Sequence, residues 1–188
     1  MRPILAGVVA GCVSLGASGA FAFELTSADF KPNGTIGEKH VYNGFGCQGD
    51  NLSPALSWKA PPKGTKSFAI LVHDPDAPTG GAGWWHWIVY NLPADVQSLA
   101  QGAGTADGKP LPEGSAQART DFGVPGWGGP CPPEGDKPHR YVFTIHALGV
   151  EKLDIPMGAT ASLVGFMVNA NSLGKASLTG RYGRAKAK

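Results

Sequence analysis

The chain has 188 residues, a formal net charge of +2, and a composition rich in glycine (28) and proline (16). This length fits one domain, and the charge is too small for the strong electrostatic attraction on which nucleic-acid binding depends. Glycine and proline disfavour helix interiors, so the composition argues against a helical bundle and favours an ordered fold with many turns.

The N-terminus reads MRPILAGVVAGCVSLGASGAFAFELTS. Arg2 precedes an acid-free run of apolar and small residues, and Ala20-Phe21-Ala22 places small residues where signal peptidase cleaves. We therefore predict a signal peptide over residues 1–22, a mature domain over residues 23–188, and a periplasmic or secreted protein. The alternatives are a membrane anchor, which the interrupting glycines and serines disfavour, and lipid attachment at Cys12. No later segment is long and apolar enough to cross a bilayer.

Removal of the signal peptide would leave two of the three cysteines, Cys47 and Cys131. An even number of cysteines in an oxidising compartment favours a disulfide. Closing so long a loop stabilises a fold by about 4 kcal/mol in the chain-entropy model. The alternative is a pair of separate free thiols.

Four apolar runs between glycine and proline clusters predict strands, taken in chain order: ALSWKA, SFAILVHD, WHWIVYNL and HRYVFTIHALGV. The second and third are apolar on both faces, which is typical of central strands. The last alternates, with Tyr141, Phe143 and Ile145 on one face. A long stretch rich in glycine and proline separates Asn91 from His139, and such loops inside a compact domain are usually functional.

The final third predicts one helix, in ATASLVGFMVNANSLG. Thr160 or Ser162 would cap it and Gly174 would end it. Its apolar residues at helical spacing predict the face that packs on a sheet: Leu163, Phe166, Met167, Ala170 and Leu173. These elements together predict an all-β or β-rich sandwich with a peripheral C-terminal helix.

Polar residues occur where three of the predicted strands begin or end. Asp74 ends one strand, His86 lies near the start of the next, and His139 opens the last. If these strands are neighbours in one sheet, the three side chains reach the same rim. Separately, each has an ordinary explanation: an Asp-Pro turn, a core histidine, or an ion pair of Asp74 or Asp76 with Arg140.

Together these residues predict a pocket for a small anion. The stretch GGPCPP just before His139 would bring the backbone N–H groups of Gly128 and Gly129 to the same rim. Imidazoles would donate hydrogen bonds to the ligand. Asp74 would orient an imidazole or accept a hydrogen bond from a ligand ammonium group. A phosphorylated or zwitterionic small molecule suits this set.

Three motifs in this order resemble the phosphatidylethanolamine-binding protein family, also called the Raf kinase inhibitor protein family: DPDAP, WHWIVYN and GPCPPEGDKPHRY. NLSPALSW and the predicted signal peptide resemble its bacterial secreted branch. The resemblance extends from about Phe45 to Tyr182. It implies a sandwich of two antiparallel sheets with a C-terminal helix and a small anion-binding pocket at one end.

The resemblance also implies the residues of that pocket. Trp127 stands where the family often has tyrosine, which keeps an aromatic wall but loses a hydroxyl. By this resemblance, Phe166 stands where many relatives carry a histidine near the C-terminus, which implies fewer polar groups on that wall of the pocket. The implied ligand-binding residues are Asp74, Asp76, His86, Trp127, Gly129, Cys131 and His139.

We therefore predict a non-enzymatic binding protein for a small anionic or phosphorylated ligand, with a possible protein partner. A hydrolase that uses the same Asp and His residues is the alternative. Cys131 would be a nucleophile in it only as a free thiol. Neither HExxH nor His-x-His occurs in the sequence, so we predict no metal and no cofactor. A sugar site built on Trp84, Trp85 and Trp87 is a weaker reading, because tryptophans in a buried strand usually belong to the core.

Overall fold

A computed structural model describes residues 22–186. The predicted signal peptide, apart from Ala22, therefore lies outside the described residues. The strands are β1 (Glu24–Ser27), β2 (Asn43–Gly44), β3 (Cys47–Gln48), β4 (Leu56–Lys59), β5 (Ser67–Asp74), β6 (Trp84–Pro93), β7 (Ser98–Leu99), β8 (Ala116–Gln117), β9 (His139–Leu148) and β10 (Ser172–Tyr182). A short 3₁₀ helix (Glu38–His40) and one α-helix, α1 (Ala161–Asn171), complete the described elements.

The strands form antiparallel sheets, as predicted. The main sheet has five strands in the order β10-β9-β5-β6-β8, and a second sheet has three in the order β1-β4-β7. A small hairpin joins β2 to β3. β5 lies at the centre of the main sheet, paired with β6 on one side and β9 on the other. The four predicted strands correspond to β4, β5, β6 and β9.

The core lies between the two sheets. Tyr141, Phe143 and Ile145 are fully buried, which confirms the alternation predicted for β9. They meet inward residues of β5 and the second sheet, and the Trp58 ring of β4 lies 5.5 Å from the Phe68 ring of β5. Burying these large apolar side chains supplies the main stabilisation of the sandwich.

The opposite face of the main sheet packs against α1. Val164 and Val168 belong there to a second cluster of buried residues, together with Leu71 and Ile88 of the sheet. The predicted inward stripe of α1 was wrong, because Leu163, Phe166 and Leu173 are exposed. The helix has two apolar stripes at helical spacing, and the smaller side chains face the sheet because they allow a closer approach: Ala161, Val164, Gly165 and Val168.

The two ends of α1 differ in how well the sequence predicted them. The Thr160 side chain accepts a hydrogen bond from the Leu163 N–H, as expected of a cap. The helix ends at Asn171 rather than near Gly174, since β10 begins at Ser172. The sequence of β10, SLGKASLTGRY, has few residues that favour strands, and its pairing with β9 maintains it.

Substitution of Gly165 in the middle of α1 should stabilise the protein. A Cβ atom there would meet nothing closer than Leu71 Cδ2 at 4.0 Å. We expect Gly165→Ala to raise the free energy of unfolding by about 0.5–1 kcal/mol in urea denaturation, because glycine is a poor helix former. Gly180→Ala is the control and should destabilise, since its Cβ would lie 2.6 Å from Ile36 Cγ1. A loss of stability in Gly165→Ala would contradict this packing.

Candidate functional site

A cavity of about 230 Å³ opens where three strands of the main sheet meet. Asp74 ends β5, Trp84 pairs with it at the start of β6, and His139 opens β9. Antiparallel pairing thus places the end of one strand beside the starts of its two neighbours. Asp74, His86 and His139 all line this cavity, so the structure brings the three together as the sequence suggested.

The walls of the cavity are mostly apolar. The residues of these walls come from the strand ends, the β2–β3 hairpin, the DPDAP turn and the long segment between β6 and β9. The sequence did not identify most of them. Beyond the three residues above, the lining residues are Phe45, Ala77, Pro78, Thr79, Trp84, Phe122, Cys131, Pro132, Pro133 and Tyr141. Apolar walls with a few convergent polar groups are typical of small-molecule sites.

A buried hydrogen bond between His139 and Asp74 fixes the base of the cavity. His139 Nδ1 donates to Asp74 Oδ2 at 2.8 Å, and both side chains are buried. The other oxygen of Asp74 accepts a hydrogen bond from the Asp76 N–H at 2.8 Å, which holds the DPDAP turn. His139 Nε2 lies 3.4 Å from Asp136 Oδ2. The imidazole is therefore oriented between two carboxylates.

His86 presents an acceptor rather than a donor. Its Nδ1 lies 2.5 Å from the carbonyl oxygen of Gly128, which can only accept, so Nδ1 carries the hydrogen. Burial lowers the pKa of His86 to about 4, and the Gly128 carbonyl and Asp74 offset this only in part. The ring is neutral near pH 7, and Nε2 keeps its lone pair. The prediction that this imidazole donates a hydrogen bond to an anion is therefore wrong for His86.

Tyr141 is a polar group of the cavity that sequence reasoning missed. Its hydroxyl is buried and has no hydrogen-bond partner among residues 22–186. Burial, with the charge of Asp74 nearby, raises the pKa of this phenol, so it remains a donor. The alternation of β9 could have identified Tyr141 as a cavity residue. Residues two apart on a strand share a face, and Tyr141 follows His139 by two.

Three predicted ligand residues lie outside the cavity, each with a structural role. Asp76 pairs with Arg140 through two hydrogen bonds, of 2.6 and 2.9 Å, and this lowers its pKa to about 2. The Trp127 ring is buried against Phe143, and its N–H donates to the carbonyl oxygen of His40.

Gly129 is the third residue outside the cavity. Its N–H donates to Asn51 Oδ1, and a side chain there would collide with the His40 carbonyl oxygen. The N–H of Gly128 likewise donates to the His86 carbonyl oxygen. The expected glycine donors are therefore used within the fold. Phe166, assigned by resemblance to the pocket, is 71% exposed on α1 and does not line the cavity.

A disulfide between Cys47 and Cys131 forms part of the wall. It holds the β2–β3 hairpin, whose turn residue Phe45 lines the cavity with a left-handed backbone (φ 52°). Non-glycine residues rarely adopt this conformation, and such strain is often found at ligand sites. Cys131 in this bond has no free thiol to act as the nucleophile of a hydrolase.

A family model described as phosphatidylethanolamine-binding protein matches residues 26–183. The UPF0098 protein YbcL of Escherichia coli strain K12 is 47% identical over 182 residues, which cover 97% of this chain and 98% of YbcL. The chain belongs to the phosphatidylethanolamine-binding protein family. YbhB of the same strain is 48% identical over 159 residues, covering 85% of this chain and 99% of YbhB.

Solved structures of this family show the same fold. The crystal structure of Escherichia coli YbcL, described as a new member of the mammalian family, matches with a TM-score of 0.83 and 50% identity over 86% of this chain and 98% of that one. The homologue CT736 from Chlamydia trachomatis matches with a TM-score of 0.73 and 34% identity over 87% and 98%. These matches confirm the predicted family and sandwich fold.

Among residues 22–186, no helix is long and apolar enough to cross a membrane. The same residues contain no cluster of three or more histidine, cysteine, aspartate or glutamate side chains placed to hold a metal ion.

Two buried histidines should make stability depend on pH. Burial lowers the pKa of His86 and of His146 from 6.5 to about 4. Below pH 6.5 the unfolded chain takes up protons that the folded protein does not. As the pH is lowered from 6.5 to about 4, we expect the free energy of unfolding to fall by up to about 1.4 kcal/mol per pH unit for each histidine. Urea denaturation at several pH values measures this, and His146→Gln should remove about half of the slope. A constant urea midpoint would contradict it.

Proposed function

We propose that this protein binds a small anionic ligand that carries an ionisable hydrogen, such as a phosphate monoester, in the cavity at Asp74, His86, His139 and Tyr141. The observation that carries the proposal is the Tyr141 hydroxyl, buried without a partner at the cavity. Leaving a buried hydroxyl unpaired is costly. A ligand oxygen that accepts its hydrogen would remove that cost.

His86 sets the second requirement on the ligand. Its Nε2 accepts a hydrogen, while Tyr141 donates one, and the centres of the two rings are 5.0 Å apart. A single small group with both an acceptor and a donor oxygen suits this pair. A phosphate monoanion has both, whereas the dianion has only acceptors. The cavity, at about 230 Å³, is smaller than sites for drug-sized ligands, which favours a ligand the size of a lipid headgroup.

The rest of the wall suits a cation on the same ligand. Asp74 supplies a carboxylate, and Phe45, Trp84 and Phe122 line the cavity with aromatic rings. Aromatic faces attract ammonium groups, more strongly when they are shielded from water. A zwitterion such as phosphoethanolamine therefore combines the features that the cavity favours, and it is the probe of choice.

We place the protein outside the cytoplasm, as a periplasmic or secreted domain over residues 23–188. The N-terminal run supports export, and the Cys47–Cys131 disulfide is typical of an oxidising compartment. LppC of Mycobacterium tuberculosis, 38% identical over 139 residues, is named a putative lipoprotein. Lipid attachment at Cys12 is the alternative processing. A protein partner, if the protein has one, would contact the rim of this cavity.

Tyr141→Phe tests the binding site without disturbing the fold. We expect affinity for phosphoethanolamine, measured by calorimetry, to fall about tenfold, or 1.4 kcal/mol. The free energy of unfolding should stay constant or rise by up to about 1 kcal/mol, because the lost hydroxyl had no partner. His139→Ala should weaken binding at least about tenfold too, but with a loss of stability, since it leaves Asp74 buried and unpaired.

Tyr182→Phe is the matched control. The Tyr182 hydroxyl donates to the Glu38 carboxylate and lies outside the cavity, so this variant should lose stability and keep its affinity. Unchanged affinity in both Tyr141→Phe and His139→Ala would overturn the proposed site. Release of inorganic phosphate from the probe would instead identify the hydrolase.

The binding should also depend on the charge state of the ligand. The second pKa of a phosphate monoester is about 6, and His86 stays neutral above its own pKa of about 4. We therefore expect affinity for phosphoethanolamine to fall by up to tenfold per pH unit above about pH 6. Glycerophosphoethanolamine, a diester whose phosphate keeps one negative charge but carries no hydrogen, should bind more weakly than the monoester at pH 6 and show no such fall. Tighter binding of the monoester at higher pH would show that His86 does not accept from the ligand.

A further inference from the structure

A second cleft lies on the outer face of the main sheet, beside α1. It has a volume of about 520 Å³ and is lined by side chains of β5, β6, β9, β10 and α1. It shares no lining residue with the cavity described above, which opens at the strand ends. The residues that line it include His73, Trp85, His146, Gly165, Phe166 and Lys175.

The polar groups of this cleft favour a negative charge. His146 is only 5% exposed, and its Nδ1 lies 3.3 Å from Ser172 Oγ. Lys175 lies directly opposite His146 in the β9–β10 register, and its ammonium group forms no ion pair with another described residue. The residues that line the cleft include no carboxylate. Lys175, an exposed cation, therefore has no carboxylate beside it among the residues that line the cleft, and the neutral His146 ring next to it can donate a hydrogen bond to an anion there.

The remaining surface of the cleft is apolar. The Trp85 ring lies 4.3 Å from that of His73, and Phe166 projects from α1 with 71% of its surface exposed. Leu71 and Val142 form the floor between them. A ligand with an apolar body and one anionic end would cover the rings and reach Lys175.

Gly165 keeps the cleft open. It lies in the middle of α1, where alanine would form a better helix, and the nearest atom to an added Cβ would be 4.0 Å away. Packing therefore does not require a glycine at this position. The missing side chain leaves space between the helix and the sheet at the cleft.

We propose that this cleft is a second binding site, which takes an amphipathic carboxylate. The carboxylate lies against Lys175 and His146, and the apolar body lies along Trp85 and Phe166. This site is independent of the function proposed for the cavity, because the two openings share no residue.

The probe is octanoate, titrated by calorimetry and by NMR of the His146 ring. Lys175→Gln should weaken octanoate binding at least fivefold, while Lys31→Gln, an exposed lysine outside the cleft, should leave it unchanged. Octanol, which lacks the charge, should bind at least fivefold more weakly than octanoate. Phosphoethanolamine binding should be the same in wild type and Lys175→Gln, which separates this test from that of the cavity.

Filling the cleft provides a second, steric test. Gly165→Leu should abolish octanoate binding in a protein whose Tm is not lowered, and Gly165→Ala should reduce it by less. Equal effects of the two lysine variants would overturn the proposal, as would octanol binding as tightly as octanoate. Absence of any octanoate effect on the His146 resonances would overturn it too. If Gly165→Leu fails to fold, the lysine pair and the octanol comparison still decide.

Discussion

The buried hydrogen bond between Asp74 and His139 is the interaction on which the site depends. It joins the end of β5 to the start of β9, and the second oxygen of Asp74 holds the turn that follows. Because both groups are buried, removing either leaves an uncompensated polar group, which is strongly destabilising. The pair thus fixes the base of the cavity, and the disulfide between Cys47 and Cys131 fixes the wall that carries Phe45.

The hydrogen-bonding groups that are free to bind a ligand are those without a partner within the fold. The glycine amides, Arg140 and Nδ1 of His86 all have partners within the protein. Tyr141 is left with a hydrogen to donate, and His86 with a lone pair to accept one. Such a pair distinguishes a protonated anion from a fully ionised one, which a cluster of positive charges would not do. Under the proposed function, the cavity would therefore select its ligand by hydrogen-bond complementarity more than by net charge.

The sequence predicted four of the described strands, β4, β5, β6 and β9, and the meeting of Asp74, His86 and His139. Proline and glycine mark the boundaries of these strands, and antiparallel neighbours bring their ends together. The sequence did not predict which groups remain free, since that depends on contacts between distant segments, such as Gly129 with Asn51 and Trp127 with His40. The pair of Asp76 with Arg140 is the structural alternative that the sequence did indicate. The prediction of which face of α1 packs on the sheet was wrong for another reason. Both helical stripes are apolar, so the spacing of apolar residues does not show which stripe is buried.

A crystal structure of the protein grown with phosphoethanolamine tests the central claim most directly. The account predicts a phosphate group in the cavity, with one oxygen about 2.7 Å from the Tyr141 hydroxyl and another at a similar distance from Nε2 of His86. The ammonium group should lie toward Asp74 and the aromatic wall. A ligand bound only outside the cavity, for example at the surface around Arg140 and Lys137, with the cavity empty at saturating concentration, would contradict it.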